Sequence, residues 1–277
     1  MDVSTYGGVT TYTIHQSDLG TYTLCPERAR QLWWGEADDF TSAEAAIGTA
    51  THTAIERLSG GDAPSDALEA AIRQFRDLSE ASDFRWVKVK TAKTSEQHIT
   101  NCFNTWLRDI WRHLGEPLAV ELSFDLEFSR RGRTVIRLAG CIDFIDETSV
   151  YDWKTCSRLS KFTLEGWQLQ RWGIQPGPYT WAAHQLGYFE DTPVPFTWVA
   201  MQRTPCVSGV LTTTRGPREW GWLEEQCWNV VNTYESASAP WPTNDQHALC
   251  SADWCPAWGT CKGAVLAYAS TPQLVTL

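Results

Sequence analysis

Residues 139–154 read Ala-Gly-Cys-Ile-Asp-Phe-Ile-Asp-Glu-Thr-Ser-Val-Tyr-Asp-Trp-Lys. This stretch constrains the fold more than any other, because it is rich in apolar residues and still carries Asp143, Asp152 and Lys154. Taking 146–149 as a four-residue hairpin loop places Ile145 opposite Val150, Asp143 opposite Asp152 and Cys141 opposite Lys154. Alternate side chains on a strand share a face, so the three charges project together. Directly opposed residues have Cβ atoms about 4.5–5.5 Å apart. Ile142, Phe144, Tyr151 and Trp153 make the other face apolar. Ala139, Cys141, Ile145 and Val150 make the charged face largely apolar too. Charges in such a strand are costly without a partner. A divalent cation supplies one, and carboxylate oxygens favour Mg²⁺ or Mn²⁺. Lys154 then stands where it can orient or deprotonate a water.

The flanking periodicities set the fold class. Residues 17–35 read as a helical stretch broken near Pro26. Thr41 and Glu44 form a capping-box pattern before a helix ending near Leu58. Further helices are expected over 65–80 and 95–114, with the Ser59-Gly60-Gly61-Asp62 turn between the first two of these three. The period then changes to two, with strands over 120–128, 134–145 and 150–155. Helix returns over 163–187, strands over 194–202 and 207–214, and a last helix runs from Pro217 to about Ser236. The order predicts an α/β fold, a mixed central sheet flanked by helices, with an N-terminal helical region and a C-terminal cysteine loop.

Composition excludes several classes. With 43% apolar and 20% charged residues the chain is globular. A net charge of −10 excludes a histone-like or tail-driven nucleic-acid binder, though a local basic groove remains compatible. No apolar run of membrane-spanning length occurs, and Met1–Tyr12 lacks a secretory pattern, so a cytoplasmic protein is expected. No Gly-x-x-x-x-Gly-Lys-Ser/Thr loop is present, so no ATP-driven motor is encoded.

Nine cysteines cannot all pair within the chain, and a reducing compartment favours metal binding over disulfides. Cys102, Cys141, Cys156, Cys206 and Cys227 are scattered singly and read as small core residues. Cys250, Cys255 and Cys261 instead crowd a loop containing Pro256 and Gly259. Cys25 is the candidate fourth thiolate, and four thiolates suit either an iron–sulfur cluster or structural zinc.

These residues together resemble a family. Gly140-x-Ile142-Asp143 followed by Asp152-x-Lys154 resembles the PD-(D/E)XK nuclease superfamily, and in particular its RecB-like branch, which includes CRISPR-associated exonucleases with iron–sulfur clusters. Gly48-x-x-x-His52, Gln175-x-x-x-Tyr179 and the set Cys25, Cys250, Cys255 and Cys261 stand in the order found there. Two features depart from it: Pro176 and Pro178 inside the Gln-Tyr motif, and the wide interval from Cys250 to Cys255. The resemblance implies one nuclease domain over 1–277, with a helical part (1–115), a catalytic core (116–240) and an iron–sulfur segment (241–277). It implies Asp143, Asp152 and Lys154 as catalytic residues, and His52 and the Trp153 carbonyl as metal ligands beside the two aspartates. Glu121 stands as a further metal-site carboxylate or as an ordinary surface charge. Gln175 and Tyr179 would contact the DNA backbone or the active-site loop. The cofactors implied are Mg²⁺ or Mn²⁺ and a [4Fe–4S] cluster, with zinc as the alternative occupant.

The implied activity is metal-dependent DNA exonuclease action, favouring single strands or ends, in recombination, repair or phage DNA metabolism. The alternatives are an iron–sulfur subunit that binds DNA ends within a larger complex, or an endonuclease of the same fold. Partners in trans would be a helicase, a recombinase or a CRISPR-adaptation-type protein, in a bacterial or phage-infected cell. Arg130, Arg131, Arg133 and Arg137, with Arg28, Arg30, Lys88, Lys90 and Lys93, are candidates for following phosphates. Trp33, Trp34, Trp86, Trp167 and Trp172 are candidate stacking faces for bases.

Overall fold

A computed structural model describes residues 1–161, 173–236, 238–245 and 249–261. The chain opens with strands β1 (Asp2–Tyr6) and β2 (Val9–His15). Helices α1 (Gln16–Leu24) and α2 (Pro26–Trp33) follow, with Pro26 starting the second helix. Short β3 (Thr41–Ser42) leads into α3 (Ala43–Ser59) and α4 (Pro64–Ser79). Short β4 (Phe84–Arg85) precedes α5 (Ala92–Asp109). Then come β5 (Ala119–Arg131), β6 (Thr134–Ile145) and β7 (Val150–Cys156). Helix α6 (Pro176–Gln185), β8 (Val194–Gln202), β9 (Val207–Arg215) and α7 (Pro217–Ser236) complete the described elements. The first part of the helix expected over 163–187 lies outside the described residues.

The main sheet is mixed, in the order β1-β2-β6-β7-β8-β9, with β5 along the other edge of β6. β5 pairs with β6 along nearly its whole length. Both other neighbours therefore share the remaining edge of β6. β2 takes Thr134–Ala139 in parallel. β7 takes only Phe144 and Ile145, opposite Tyr151 and Val150. Residues 140–143 are left between the two ladders, and the sheet opens there.

One side of the sheet is covered by α3, α4 and α5. Ala46, Ile47, Ala50 and Ala54 of α3 share a buried cluster with Phe144, Tyr151, Trp153, Val199 and Met201. Alanines at helical spacing let α3 approach the sheet closely. The second cluster joins α6 and α7, through Ala182, Ala183, Leu223 and Val230, to Ile142, Ile145, Val150 and Phe196. Cover on both sides explains why the central strands are apolar on both faces.

Three sequence-based expectations change. The hairpin register holds at Ile145–Val150, but Asp143 does not pair with Asp152, nor Cys141 with Lys154. β7 leaves β6 because it pairs in parallel with β8 from Val150↔Phe196 to Cys156↔Gln202. The cap of α3 is Ser42, whose side chain accepts from Ala45 N, so the Thr41–Glu44 capping box does not form. Glu44 Oε1 instead accepts the backbone N–H groups of Lys88 and Val89. The β1–β2 hairpin was not foreseen. Its turn, Gly7-Gly8, has both φ values positive (58° and 78°), which is the two-residue hairpin signature.

Candidate active site

The opening in the sheet is where the charged side chains collect. Trp153 in β7 directs its backbone N–H toward β6, and Asp143 Oδ2 accepts it at 2.7 Å. His52 Nε2 lies 2.7 Å from the Trp153 carbonyl oxygen. His52 Nδ1 lies 3.5 Å from Asp143 Oδ2. The imidazole is therefore held by Asp143, and Glu56, one turn further along α3, is exposed.

Glu121 is the position of β5 that would complete the ladder opposite Asp143, between the pairs Val120↔Phe144 and Leu122↔Ile142. Its φ is +47°, the one positive value at a non-glycine among the described residues. That region is disfavoured for a side chain of this size and marks a constrained position. Cys141 Sγ donates to Glu121 Oε2 at 3.2 Å. One ligand atom each from His52, Glu121 and Asp143 lies within 4.8 Å of the others.

Asp152 is 1% exposed. Its Oδ1 accepts from Gln175 Nε2 at 2.8 Å. Its Oδ2 pairs with Lys154 Nζ at 2.5 Å. Gln175 immediately precedes α6, and Pro176 is the first residue of that helix. Pro178 also falls in the first turn, where backbone N–H groups have no intrahelical acceptor, so both prolines are accommodated. Tyr179 is buried, its ring edge-on to Phe124 at 6.1 Å. It packs beneath the site with 7% of its surface exposed. Gly140 makes this packing possible, since a Cβ there would sit 3.0 Å from Phe124 Cζ and 3.2 Å from Tyr179 Cε1.

The charges are strongly interdependent. Burial lowers the His52 pKa, but Asp143 outweighs it and raises the imidazole to about 9. Burial raises Asp143, yet His52, Lys154 and the Trp153 N–H hold it below the ordinary carboxylate range. Burial and Asp143 push Asp152 up to about 6, against the pull of Lys154. Glu121 is raised by burial and by Asp143. One imidazole and two or three carboxylates, partly desolvated and mutually repelling, form a donor set suited to a hard divalent cation. His52, Asp143 and Glu121 would hold such an ion, with Asp152 and the Trp153 carbonyl beside them.

Of the five scattered cysteines, Cys102, Cys156 and Cys227 are buried as expected, whereas Cys141 and Cys206 are half-buried. Burial pushes Cys102 up to about 12 and Cys156 up to about 11, so both are inert thiols. Cys25, Cys250, Cys255 and Cys261 line one cavity with Arg28 and Trp258. Burial and the other three thiols push Cys250 up to about 11. Cys25 is the joint between α1 and α2, and a buried network holds the late loop against it. Glu27 accepts from Arg30, Gln31 and the backbone N–H of Trp241. Gln31 in turn accepts from Thr260 Oγ1.

The arginine cluster at the β5–β6 turn is largely self-neutralised. Arg130 pairs with Glu127, Arg131 with Glu225 and Arg137 with Asp125. Arg30 is buried between Glu27 and Glu36. Trp33 packs among Tyr22, Tyr234 and Trp241. Trp34 and Trp86 are exposed, while Trp167 and Trp172 lie outside the described residues.

The family model of the PD-(D/E)XK nuclease superfamily matches residues 14–262. The chain belongs to the PD-(D/E)XK nuclease superfamily. No curated protein sequence matches it. Among solved structures, a candidate exonuclease from Eubacterium rectale superposes with a TM-score of 0.56 at 11% identity. The superposition covers 96% of this chain and 90% of that one, and it supports the fold. A second structure, SSO0001, gives a TM-score of 0.43 at 15% identity, over 90% of this chain and 85% of its own, a likeness too loose to argue from. In this PD-(D/E)XK chain the Asp143, Asp152 and Lys154 pattern falls at the splayed β6–β7 junction. Sequence reasoning did not find the Cys141–Glu121 bond, whose only trace was the apolar position between Gly140 and Ile142. No helix among the described residues is long and apolar enough to cross a membrane.

Proposed function

We propose that this PD-(D/E)XK nuclease is a metal-dependent DNA exonuclease of the RecB-like branch, acting on single strands or DNA ends in recombination, repair or phage DNA metabolism. The observation that carries the reading is the buried Asp152–Lys154 pair next to the His52, Glu121 and Asp143 cluster. A bound Mg²⁺ or Mn²⁺ would neutralise the scissile phosphate and lower the pKa of a water. Asp143 is fixed by the Trp153 N–H and supplies a full negative charge to the cation position. Lys154 keeps an ammonium at the same spot, able to orient the water or meet charge developing on the phosphate. Gln175 holds Asp152 from the opposite side, so that carboxylate cannot rotate away.

The four cysteines around one cavity support a [4Fe–4S] cluster within a late segment, residues 241–277, of a single nuclease domain. Zinc is the alternative occupant of the same four thiolates, and iron and zinc analysis of anaerobically purified protein separates the two. A helicase or recombinase is the class of partner that would supply unwound DNA to such a nuclease.

The test is digestion of end-labelled single- and double-stranded DNA with Mn²⁺ or Mg²⁺ by anaerobically purified protein, beside Lys154→Ala and Asp152→Ala. Metal-dependent loss of label by wild type alone supports the reading. A brown, folded, inactive wild type overturns stand-alone activity and favours a DNA-end-binding subunit.

A further inference from the structure

Between Asp83 and Glu96 the chain has no acidic residue and four basic ones, Arg85, Lys88, Lys90 and Lys93. Three of the six lysines of a chain carrying −10 thus fall within six residues. All four basic side chains are exposed, and none pairs with a carboxylate among the described residues. Three of them contact rings or a carbonyl instead, Arg85 lying over the Phe40 ring. Lys88 Nζ lies 5.4 Å over the Trp254 ring, and Lys90 Nζ donates to the Trp86 carbonyl at 2.9 Å. Trp86 backs edge-on against Phe84, at 5.0 Å, and is 37% exposed.

This segment is built in place. Val89 is buried, and Glu44 on the first turn of α3 fixes the N–H groups of Lys88 and Val89 at 2.9 and 2.7 Å. His52 lies eight residues along the same helix, about 12 Å at 1.5 Å per residue. Arg85 itself lines a cavity with Asp18, Asp38, Asp39 and Asp83, where four carboxylates outnumber it and disfavour an anion.

We infer that Trp86, Lys88, Lys90 and Lys93 form a surface that tracks the backbone of single-stranded nucleic acid leading toward the site, with Trp86 as a stacking face. The inference rests on the nuclease reading for the direction of travel, but not for binding itself. Ammonium groups follow phosphates, and an exposed indole accepts any base.

The test is fluorescence anisotropy of labelled oligo(dT) with EDTA, for wild type, the charge reversal Lys88→Glu/Lys90→Glu/Lys93→Glu, and the triple Lys→Arg variant. Bis(4-nitrophenyl) phosphate hydrolysis with Mn²⁺ is measured alongside. The reversal should weaken binding at least about tenfold and flatten the salt slope by about 2, at about 0.7 per single-strand phosphate contact. The arginine variant should bind like wild type, and small-diester hydrolysis should stay unchanged in both. Equal affinity and slope in wild type and reversal overturn the inference and leave the segment to an acidic protein partner. Absent hydrolysis by wild type with intact, lysine-dependent binding defeats the nuclease reading alone.

Discussion

Asp143 takes the backbone N–H of Trp153 in place of a strand partner. His52 meets the carbonyl of the same residue. Both peptide groups that β7 would have offered to β6 are thus satisfied by side chains of the site. A buried, unpaired peptide group is costly, so separation of the strands and placement of these two side chains stabilise each other.

Glu121 is held at φ +47° among like charges. Glu121→Gln should raise the thermal midpoint of the metal-free protein, because it removes repulsion from Asp143. The same change should weaken Mn²⁺ binding at least about tenfold. Calorimetric titration and a melting curve of one preparation measure both effects. Unchanged cation affinity would remove Glu121 from the ligand set.

Cation binding should release a proton. The His52 pKa stands at about 9 without metal, above its ordinary 6.5, so the imidazole is charged at neutral pH. A cation needs it neutral, so affinity should rise up to about tenfold per pH unit until about pH 9 and then level off. Titrations in buffers of different ionisation enthalpy count the proton. For the metal-free fold the sign is opposite. The His52–Asp143 pair stabilises fully between about pH 4 and 6.5, fades as pH rises through about 9, and fades at the acid end as Asp143 is protonated.

Gln175→Leu should raise Asp152 further, since it removes a hydrogen bond to the ionised carboxylate. Asp152 already sits at about 6, so the acidic limb of the pH–rate profile should move toward neutrality. A rise of about one unit, the worth of one bond to a charged group, should about halve the rate at pH 7 and cut it about tenfold at pH 5. A limb that stays in place would show that Asp152 does not govern it.

Gly140→Ala should destabilise the fold by about 1–3 kcal/mol, because the new methyl meets Phe124 and Tyr179, both well packed. Urea denaturation with an unchanged slope would report this.

Glu27→Ala should cost about 1.5–3 kcal/mol, since it leaves Arg30 with Glu36 alone and removes the acceptor of the Trp241 N–H. Under the iron–sulfur reading it should also lower iron content, measured by absorbance on anaerobic protein.

Much of this was legible in the residues, for identifiable reasons. Hydrophobic pattern placed β5, β6, β7, β8 and β9 and helices α3, α4, α5 and α7, through alternation in β5 and β9, short continuous apolar runs in β7 and β8, and helical stripes. Register failed at Asp143–Asp152 because a two-strand argument could not foresee β8 drawing β7 away. Thr41 was mistaken for a cap because Glu44 matches the capping pattern while serving a distant loop. The burial of Tyr179 and the pairing of Arg130, Arg131 and Arg137 were not legible, because burial and charge partners are properties of three dimensions.

The cavity lined by Cys25 and Cys250 joins segments separated by most of the chain. On a ribosome, α1 and α2 emerge early and wait for Trp241 and Thr260 to satisfy Glu27 and Gln31. A chain cut short before those residues leaves its first helices with charged groups unsealed. Closure of the cysteine pocket is therefore coupled to residues 241–260, which supply the last partners of Glu27 and Gln31.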